Sequence, residues 1–454
     1  MVELRRRLLL SAAVSTTAGS LAPYGRAAPV EAPGTAAARP DATPSAMFTL
    51  EAVSRTTGSP TVITPPLGFS GENPPKILRV AKGSTSILRL VNRLTEATDL
   101  DFHGMRLPIG LDLPRDLGGV PVAAGATRDF AVPAPDAGTF WLHPRFNPGS
   151  SDQTARGLAG VLIVEEPDAP AVDADAVLLL TDRDPNGADL SDRLAVNGRP
   201  WPAAHTYPPG ARLRLRLVNG STREAVAVTF AGAQPFVIAI DGQPSELFRP
   251  LNDTLPVGPG ARFDIMVDLS RQVGADFKLN LQGSNGPVSA LKNPLYLARG
   301  DGAAAAERPP IRSLTPNATL PRYIPLEHSV RADVVAASRP STRPGEAALW
   351  TLNGEDGRTL GARPLFTAKT GTPVTLGFVN RSPSLTAFRL HGHVMRLLHA
   401  KDDGWEPYWR DSVIVPSDGT NHVAFLAGPP GRWLIESPFF DQSTRGLRGW
   451  FEVR

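Results

Sequence analysis

The chain has 454 residues, and a typical domain length of about 150 residues predicts roughly three domains. Its formal charge of +3 comes from the N-terminus, because residues 1–28 hold four of the 47 basic residues and one of the 44 acidic ones. The remaining chain has 43 of each, which excludes the strongly basic surface typical of nucleic-acid-binding proteins. The sequence contains no cysteine, so disulfides cannot stabilise it.

The first 28 residues have the features of a twin-arginine export signal. Arg5, Arg6 and Arg7 precede an apolar stretch from Leu8 to Ala18, which is too short to span a bilayer. We therefore expect residues 1–28 to be a signal peptide, and the mature protein to be periplasmic with no transmembrane segment. Residues 29–45 are rich in alanine and proline and are expected to form a disordered tether.

One strand pattern then recurs three times. Each copy starts with a glycine, continues with alternating apolar and polar residues, and ends with Val-Asn, at residues 83–92, 210–219 and 371–380. A period this long indicates repeated whole domains and not a solenoid. We predict an all-β fold of three consecutive Greek-key β-sandwich domains. The predicted domains span 46–168, 172–298 and 318–454, with a linker at 299–317.

Short motifs in the three predicted domains resemble those of the multicopper oxidases, the family that includes the laccases. They are Phe102-His103-Gly104, Ile240-Asp241-Gly242, Arg389-Leu390-His391-Gly392-His393 and Trp409-Arg410-Asp411. The resemblance implies cupredoxin-like domains and, in the family's active members, four coppers held by ten histidines and one cysteine. The chain also resembles a copper-free, twin-arginine-exported bacterial branch of the family that takes part in cell division.

The same resemblance implies which residues occupy the copper-ligand positions. Three histidines remain at positions of the trinuclear copper cluster: His103, His143 and His391. The other five cluster positions hold Asp101, Arg145, Arg389, Glu436 and Pro438. The electron-entry copper would fall on Thr386, Ser437 and Gln442, with Leu447 at the axial position. Such a blue-copper site requires a thiolate, which this chain cannot supply.

The replacements at the cluster positions carry opposite charges in pairs. We predict two ion pairs between the first and third domains, Asp101 with Arg389 and Arg145 with Glu436, because buried charges need partners. One alternative is that these groups are solvated and the histidines are ordinary buried side chains. Another is a remnant mononuclear site, in which His103, His143, His391 and Glu436 hold a single zinc ion.

These expectations lead to a prediction of function. We expect a non-catalytic scaffold or stabiliser of the cell envelope that binds no cofactor and whose partners are envelope or division proteins. Two alternatives remain open. One is an active, copper-dependent, laccase-like oxidoreductase, and the other is a metal-binding or ligand-binding protein that uses the cleft between the first and third domains.

Overall fold

The computed structural model describes residues 46–55, 66–69, 76–145, 152–184, 187, 190–199, 203–283, 294–341, 348–398, 404 and 406–454. The predicted signal peptide (1–28) and tether (29–45) lie outside the described residues. Within the described ranges, 29 strands and two short α-helices form an all-β fold of three consecutive domains. No helix in these ranges is long and apolar enough to cross a membrane.

The first domain consists of two four-stranded sheets that enclose an apolar core. Its strands, in chain order, are β1 (Ala46–Ser54), β2 (Leu67–Phe69), β3 (Lys76–Ala81), β4 (Thr85–Asn92), β5 (Asp101–His103), β6 (Thr127–Pro133), β7 (Gly138–His143) and β8 (Gly160–Glu165). One sheet has the order β2-β1-β4-β6 and the other β3-β8-β7-β5. Two short 3-10 turns, Ile109–Leu111 and Arg115–Leu117, connect β5 to β6.

The second domain has a six-stranded sheet, β10-β9-β12-β17-β14-β15, packed against a five-stranded sheet, β11-β19-β18-β13-β16. Its elements are β9 (Ala174–Asp182), α1 (Leu190–Arg193), β10 (Leu194–Val196), β11 (Ala203–Tyr207), β12 (Arg212–Asn219), β13 (Val226–Ala231), β14 (Pro235–Ile240), β15 (Gln243–Phe248), β16 (Thr254–Val257), β17 (Arg262–Asp268), β18 (Asp276–Gly283) and β19 (Tyr296–Gly300). A 3-10 turn covers Leu251–Asp253.

The third domain has two five-stranded sheets, β21-β20-β23-β27-β25 and β22-β29-β28-β24-β26. Its elements are β20 (Val330–Arg339), β21 (Leu349–Leu352), β22 (Thr367–Ala368), β23 (Pro373–Asn380), β24 (Thr386–Leu390), β25 (Arg396–Leu397), β26 (Ser412–Val415), β27 (Thr420–Leu426), β28 (Gly431–Glu436), α2 (Phe440–Thr444) and β29 (Arg448–Val453). Its apolar core lies between these sheets.

The repeated sequence pattern forms the same strand in each domain. β4, β12 and β23 each pair in parallel with the first strand of their domain and antiparallel with a later one. The glycine that opens each copy has a φ of 76–78°, which glycine adopts without steric cost. The asparagine that ends each copy is fully buried, and its amide donates to loop carbonyls, as Asn380 does to Ser384 and Val415. The Val-Asn signature therefore marks a buried anchor for the following loop.

The domains are joined by buried polar contacts as well as apolar ones. Arg214 and Arg216 of β12 are buried. Both form ion pairs with Glu166 of the first domain, so they lie at the boundary between the first two domains. The linker is also held in place: Asn317 donates to Asp136 of the first domain at 2.7 Å and to Gln243 of the second at 2.9 Å. Charged interfaces of this kind recur at the joint between the first and third domains.

Candidate functional site

The cluster positions of the first and third domains meet in a buried ion pair. Asp101 begins β5 and Arg389 lies in β24, and both side chains are about 2% exposed. The Arg389 guanidinium donates two parallel hydrogen bonds of 2.8 Å to the two carboxylate oxygens of Asp101. Burial alone would raise the pKa of Asp101, but Arg389 holds it well below its ordinary value. The structure thus brings together the first pair of residues that we expected to interact.

The predicted pair of Arg145 with Glu436 is wrong among the residues that the structure describes, because each of the two groups binds other partners there. Arg145 donates to the carboxylate of Asp112 at 2.9 Å and lies 3.5 Å from that of Asp99. Asp112 immediately follows the first 3-10 turn, and its side chain contacts the third domain at His391. Glu436 instead accepts from Arg448 at 3.3 Å and from His391.

His391 lies between Asp112 and Glu436 and contacts both of them. Its Nδ1 lies 3.0 Å from an Asp112 oxygen, and its Nε2 lies 3.0 Å from a Glu436 oxygen. Burial and the nearby Arg389 both oppose a charge on this ring, yet the two carboxylates outweigh them and raise the pKa of His391. Because both ring nitrogens face carboxylate oxygens, this position favours the doubly protonated, cationic form of His391, which donates to Asp112 across the domain boundary.

The Asp101–Arg389 pair lies beside these contacts, since donor atoms of Asp101, Asp112 and His391 lie within 4.8 Å of one another. We call the whole group the buried charge network. Its members are all buried and come from both domains. They are Asp101, Asp112, Arg145, Arg389, His391, Glu436 and Arg448. Arg448 extends the network back to the first domain, where it donates to Asp116 at 3.1 Å.

The other two cluster histidines form a neutral pair within the first domain. Nδ1 of His103 lies 3.2 Å from Nε2 of His143, whose own Nδ1 lies 2.7 Å from the carbonyl oxygen of Pro144. His143 therefore donates to Pro144 and accepts from His103. Burial lowers the pKa of His143 to about 4, and burial together with Arg389 lowers that of His103 well below its ordinary value. Both rings are uncharged at neutral pH.

The three electron-entry positions also contact one another. Thr386 in β24 and Ser437 after β28 both donate to the side-chain oxygen of Gln442 in α2, at 2.6 and 2.9 Å. The Gln442 amide nitrogen donates to the carbonyl oxygen of Leu385 at 2.8 Å. Leu447, at the axial position, is fully buried in the apolar core. The polar atoms of this cluster therefore bind each other.

These donors do not fit the four coppers that active members of the family hold. The electron-entry positions offer two hydroxyls and an amide, and no thiolate. At the cluster, Asp101, Asp112 and His391 have donor atoms within 4.8 Å of one another. Two guanidinium groups already bind these carboxylates, and fixed cations there oppose a metal cation. The zinc alternative requires His391 as a ligand. Both ring nitrogens of His391 already hydrogen-bond to carboxylates, so neither is available for a zinc ion.

The fold and the site geometry define a three-domain protein of the cupredoxin type. Family models described as multicopper oxidase match residues 52–169, 171–298 and 324–454. The chain belongs to the multicopper oxidase family.

Its relatives include both oxidases and a division protein. Multicopper oxidase MmcO of Mycobacterium tuberculosis is 26% identical over 83% of this chain and 81% of its own length. Cell division protein FtsP of Shigella dysenteriae is also 26% identical, over 83% of this chain and 82% of its own length. The solved multi-copper oxidase of Pseudomonas thermotolerans is similar with a TM-score of 0.75 and 27% identity, over 91% of this chain and all of that one. Family membership alone therefore does not decide between catalysis and another role.

The buried ion pair predicts a large loss of stability when one partner loses its charge. Replacing Asp101→Asn keeps the shape of the side chain but leaves Arg389 buried without a counter-charge, which typically costs about 3–5 kcal/mol. Chemical denaturation of the two proteins measures this difference in the free energy of unfolding. The matched control is Asp129→Asn, since Asp129 binds Arg89 through the same two 2.8 Å hydrogen bonds at the surface. An exposed pair contributes little, so equal effects of the two substitutions would contradict the interpretation.

We expect the contribution of His391 to the free energy of unfolding to fall as pH rises. The contributions of its carboxylate partners, Asp112 and Glu436, should change in the opposite direction. Because folding raises the pKa of His391, its contribution is complete below the unfolded-state pKa of about 6.5 and is lost as pH rises through the folded-state value. The measurement is the stability difference between the natural chain and His391→Gln at a series of pH values. We expect this difference to shrink as pH rises above about 6.5. A difference that grows with pH would mean that His391 is neutral in the folded protein.

Proposed function

We propose that this protein is a copper-free member of its family that acts as a non-catalytic scaffold or stabiliser in the cell envelope. The main observation is the electron-entry cluster, in which Thr386, Ser437 and Gln442 hydrogen-bond to each other. A multicopper oxidase takes electrons from its substrate through a thiolate-ligated copper, and this sequence has no cysteine. The proposed loss of copper therefore removes the first step of oxidase chemistry.

The buried charge network supports a structural role for the former copper cleft. Arg389 and Arg145 supply positive charge beside Asp101 and Asp112, at the joint between the first and third domains. Arginine is suited to this because its planar guanidinium binds a carboxylate through two bonds and stays charged. In our proposal the network holds the two domains together without a metal. The protein then acts by binding partner proteins through its surface.

The similarity to FtsP supports a more specific role. That protein is named for cell division, and our proposed partners are accordingly proteins of the envelope or of the division machinery. Residues 1–28 fit the proposal, since they resemble a twin-arginine signal. That export route suits a protein that must fold before it crosses the membrane.

Metal analysis after refolding with copper and zinc tests the copper-free proposal. We expect neither metal at one equivalent or more, no blue absorption, and no oxidation of diphenol substrates. Stoichiometric copper with blue absorption would contradict the proposal and favour a laccase-like oxidoreductase. One equivalent of zinc alone would favour the mononuclear alternative, in which His103, His143, His391 and Glu436 are the ligands.

A gain-of-function variant provides the matched control for that experiment. The triple substitution Thr386→His, Ser437→Cys and Gln442→His restores the ligand types of a blue-copper site, namely two imidazoles and a thiolate. We expect copper-dependent blue absorption in this variant, without oxidase activity, because the cluster positions are unchanged. This control shows that the refolding conditions allow copper to enter the protein.

Export has its own test. A reporter that is active only after folded export is fused to residues 1–28, and Arg6→Lys together with Arg7→Lys is compared with the natural segment. The paired arginines identify the twin-arginine route, so we expect the double variant to retain the reporter inside the cell. Equal export of both fusions would contradict a twin-arginine signal.

A further inference from the structure

A second charged site lies at the boundary between the first and second domains. A cavity of about 240 Å³ opens there, and four arginines line it. Arg156 comes from the first domain, and Arg183, Arg193 and Arg223 come from the second. The cavity shares no residue with the buried charge network, so it is independent of the copper question.

Ion pairs at the cavity wall hold two of these arginines in position. Arg156 lies 2.9 Å from Asp152 and also bonds to Glu96. Arg193 donates to Glu224 at 2.9 Å. Such pairs fix the direction of the guanidinium groups before a ligand arrives, which reduces the entropy that a ligand must overcome.

One carboxylate of the cavity lining is bound by hydroxyl and backbone donors. Asp182 is buried and accepts two hydroxyl hydrogen bonds of 2.6 Å, from Ser221 and Thr222, and a backbone bond of 2.8 Å from Thr222. The lining contains four arginines and three carboxylates, and Glu96 is a fourth carboxylate, bound to Arg156.

Arg223 is the arginine best placed to meet a ligand. It is exposed and lines the cavity, and among the residues that the structure describes it forms no ion pair. Arg223 follows Thr222 directly, so the loop that binds Asp182 also places this arginine at the cavity. Arg223 lies close enough to Asp182 and Asp441 for its charge to oppose the burial that raises the pKa of both carboxyl groups. Its guanidinium donates no hydrogen bond to the residues that the structure describes, so its N–H groups can bind an incoming anion.

We propose that this cavity binds a small oxyanion with more than one negative charge, of the phosphate or polycarboxylate class. Guanidinium groups recognise both kinds of anion through paired hydrogen bonds. The volume lies below the range of about 300–1,000 Å³ usual for drug-sized ligands, which favours a compact molecule. Arginines on both walls favour a ligand with charge on two sides. Such a ligand bridges the first and second domains and stabilises their contact.

Isothermal titration with pyrophosphate and, in parallel, with citrate tests this proposal on the folded full-length chain. We expect saturable binding of at least one of them at one site per chain, and a rise in the thermal midpoint that sodium chloride of equal ionic strength does not reproduce. Arg223→Gln should weaken binding about tenfold or more, because a hydrogen bond to a charged group is lost. Arg223→Glu should abolish it.

Arg381→Gln is the control, because Arg381 is also an exposed arginine but lies in the third domain, outside the cavity. Circular dichroism confirms that each variant is folded. The proposal is overturned if neither anion binds at millimolar concentration, or if sodium chloride has the same effect. It is equally overturned if Arg381→Gln weakens binding as much as Arg223→Gln does.

Discussion

The joint between the first and third domains is built around charged side chains that are buried. A carboxylate or guanidinium removed from water is costly unless a partner of opposite charge binds it. Asp101, Asp112 and Glu436 all lie at this joint and are almost inaccessible to solvent. Each is bound by an arginine or by the cationic ring of His391. The geometry of the two domains is therefore set by ion pairs whose members lie far apart in the sequence.

A second buried junction fixes the position of the middle domain. Arg262 of β17 donates to Asp411 of the third domain at 2.6 Å and to the backbone oxygen of Thr139 in the first domain at 3.2 Å. Asp241 accepts from the Asp411 backbone at 3.1 Å, and burial, with the charge of Asp411 nearby, raises the pKa of Asp241 to about 6. One arginine thus contacts all three domains. Together with the buried charge network, it favours a single arrangement of the domains.

The fold could be predicted from the sequence because its signals are local and repeated. A glycine, an alternating strand and a buried asparagine recur in each domain, and each has a direct structural cause. The Asp101–Arg389 pair could be foreseen because opposite charges stand at motif positions that share one copper in the family. Arg145 could not be assigned correctly, since its partner Asp112 belongs to a turn between motifs. Arg448 was missed for a similar reason, because it lies just beyond the last motif. Residues that reach an interface from outside the motifs leave no signal in the spacing of those motifs.

In our proposal, guanidinium and imidazolium groups occupy the cleft where active members of the family hold copper. Crystals grown in the presence of copper, with diffraction data collected on both sides of the copper absorption edge, test this most directly. We expect no anomalous density between Asp101, Asp112 and His391, and we expect Arg389 to bind both oxygens of Asp101. An anomalous peak at this position, with Arg389 displaced from Asp101, would contradict it.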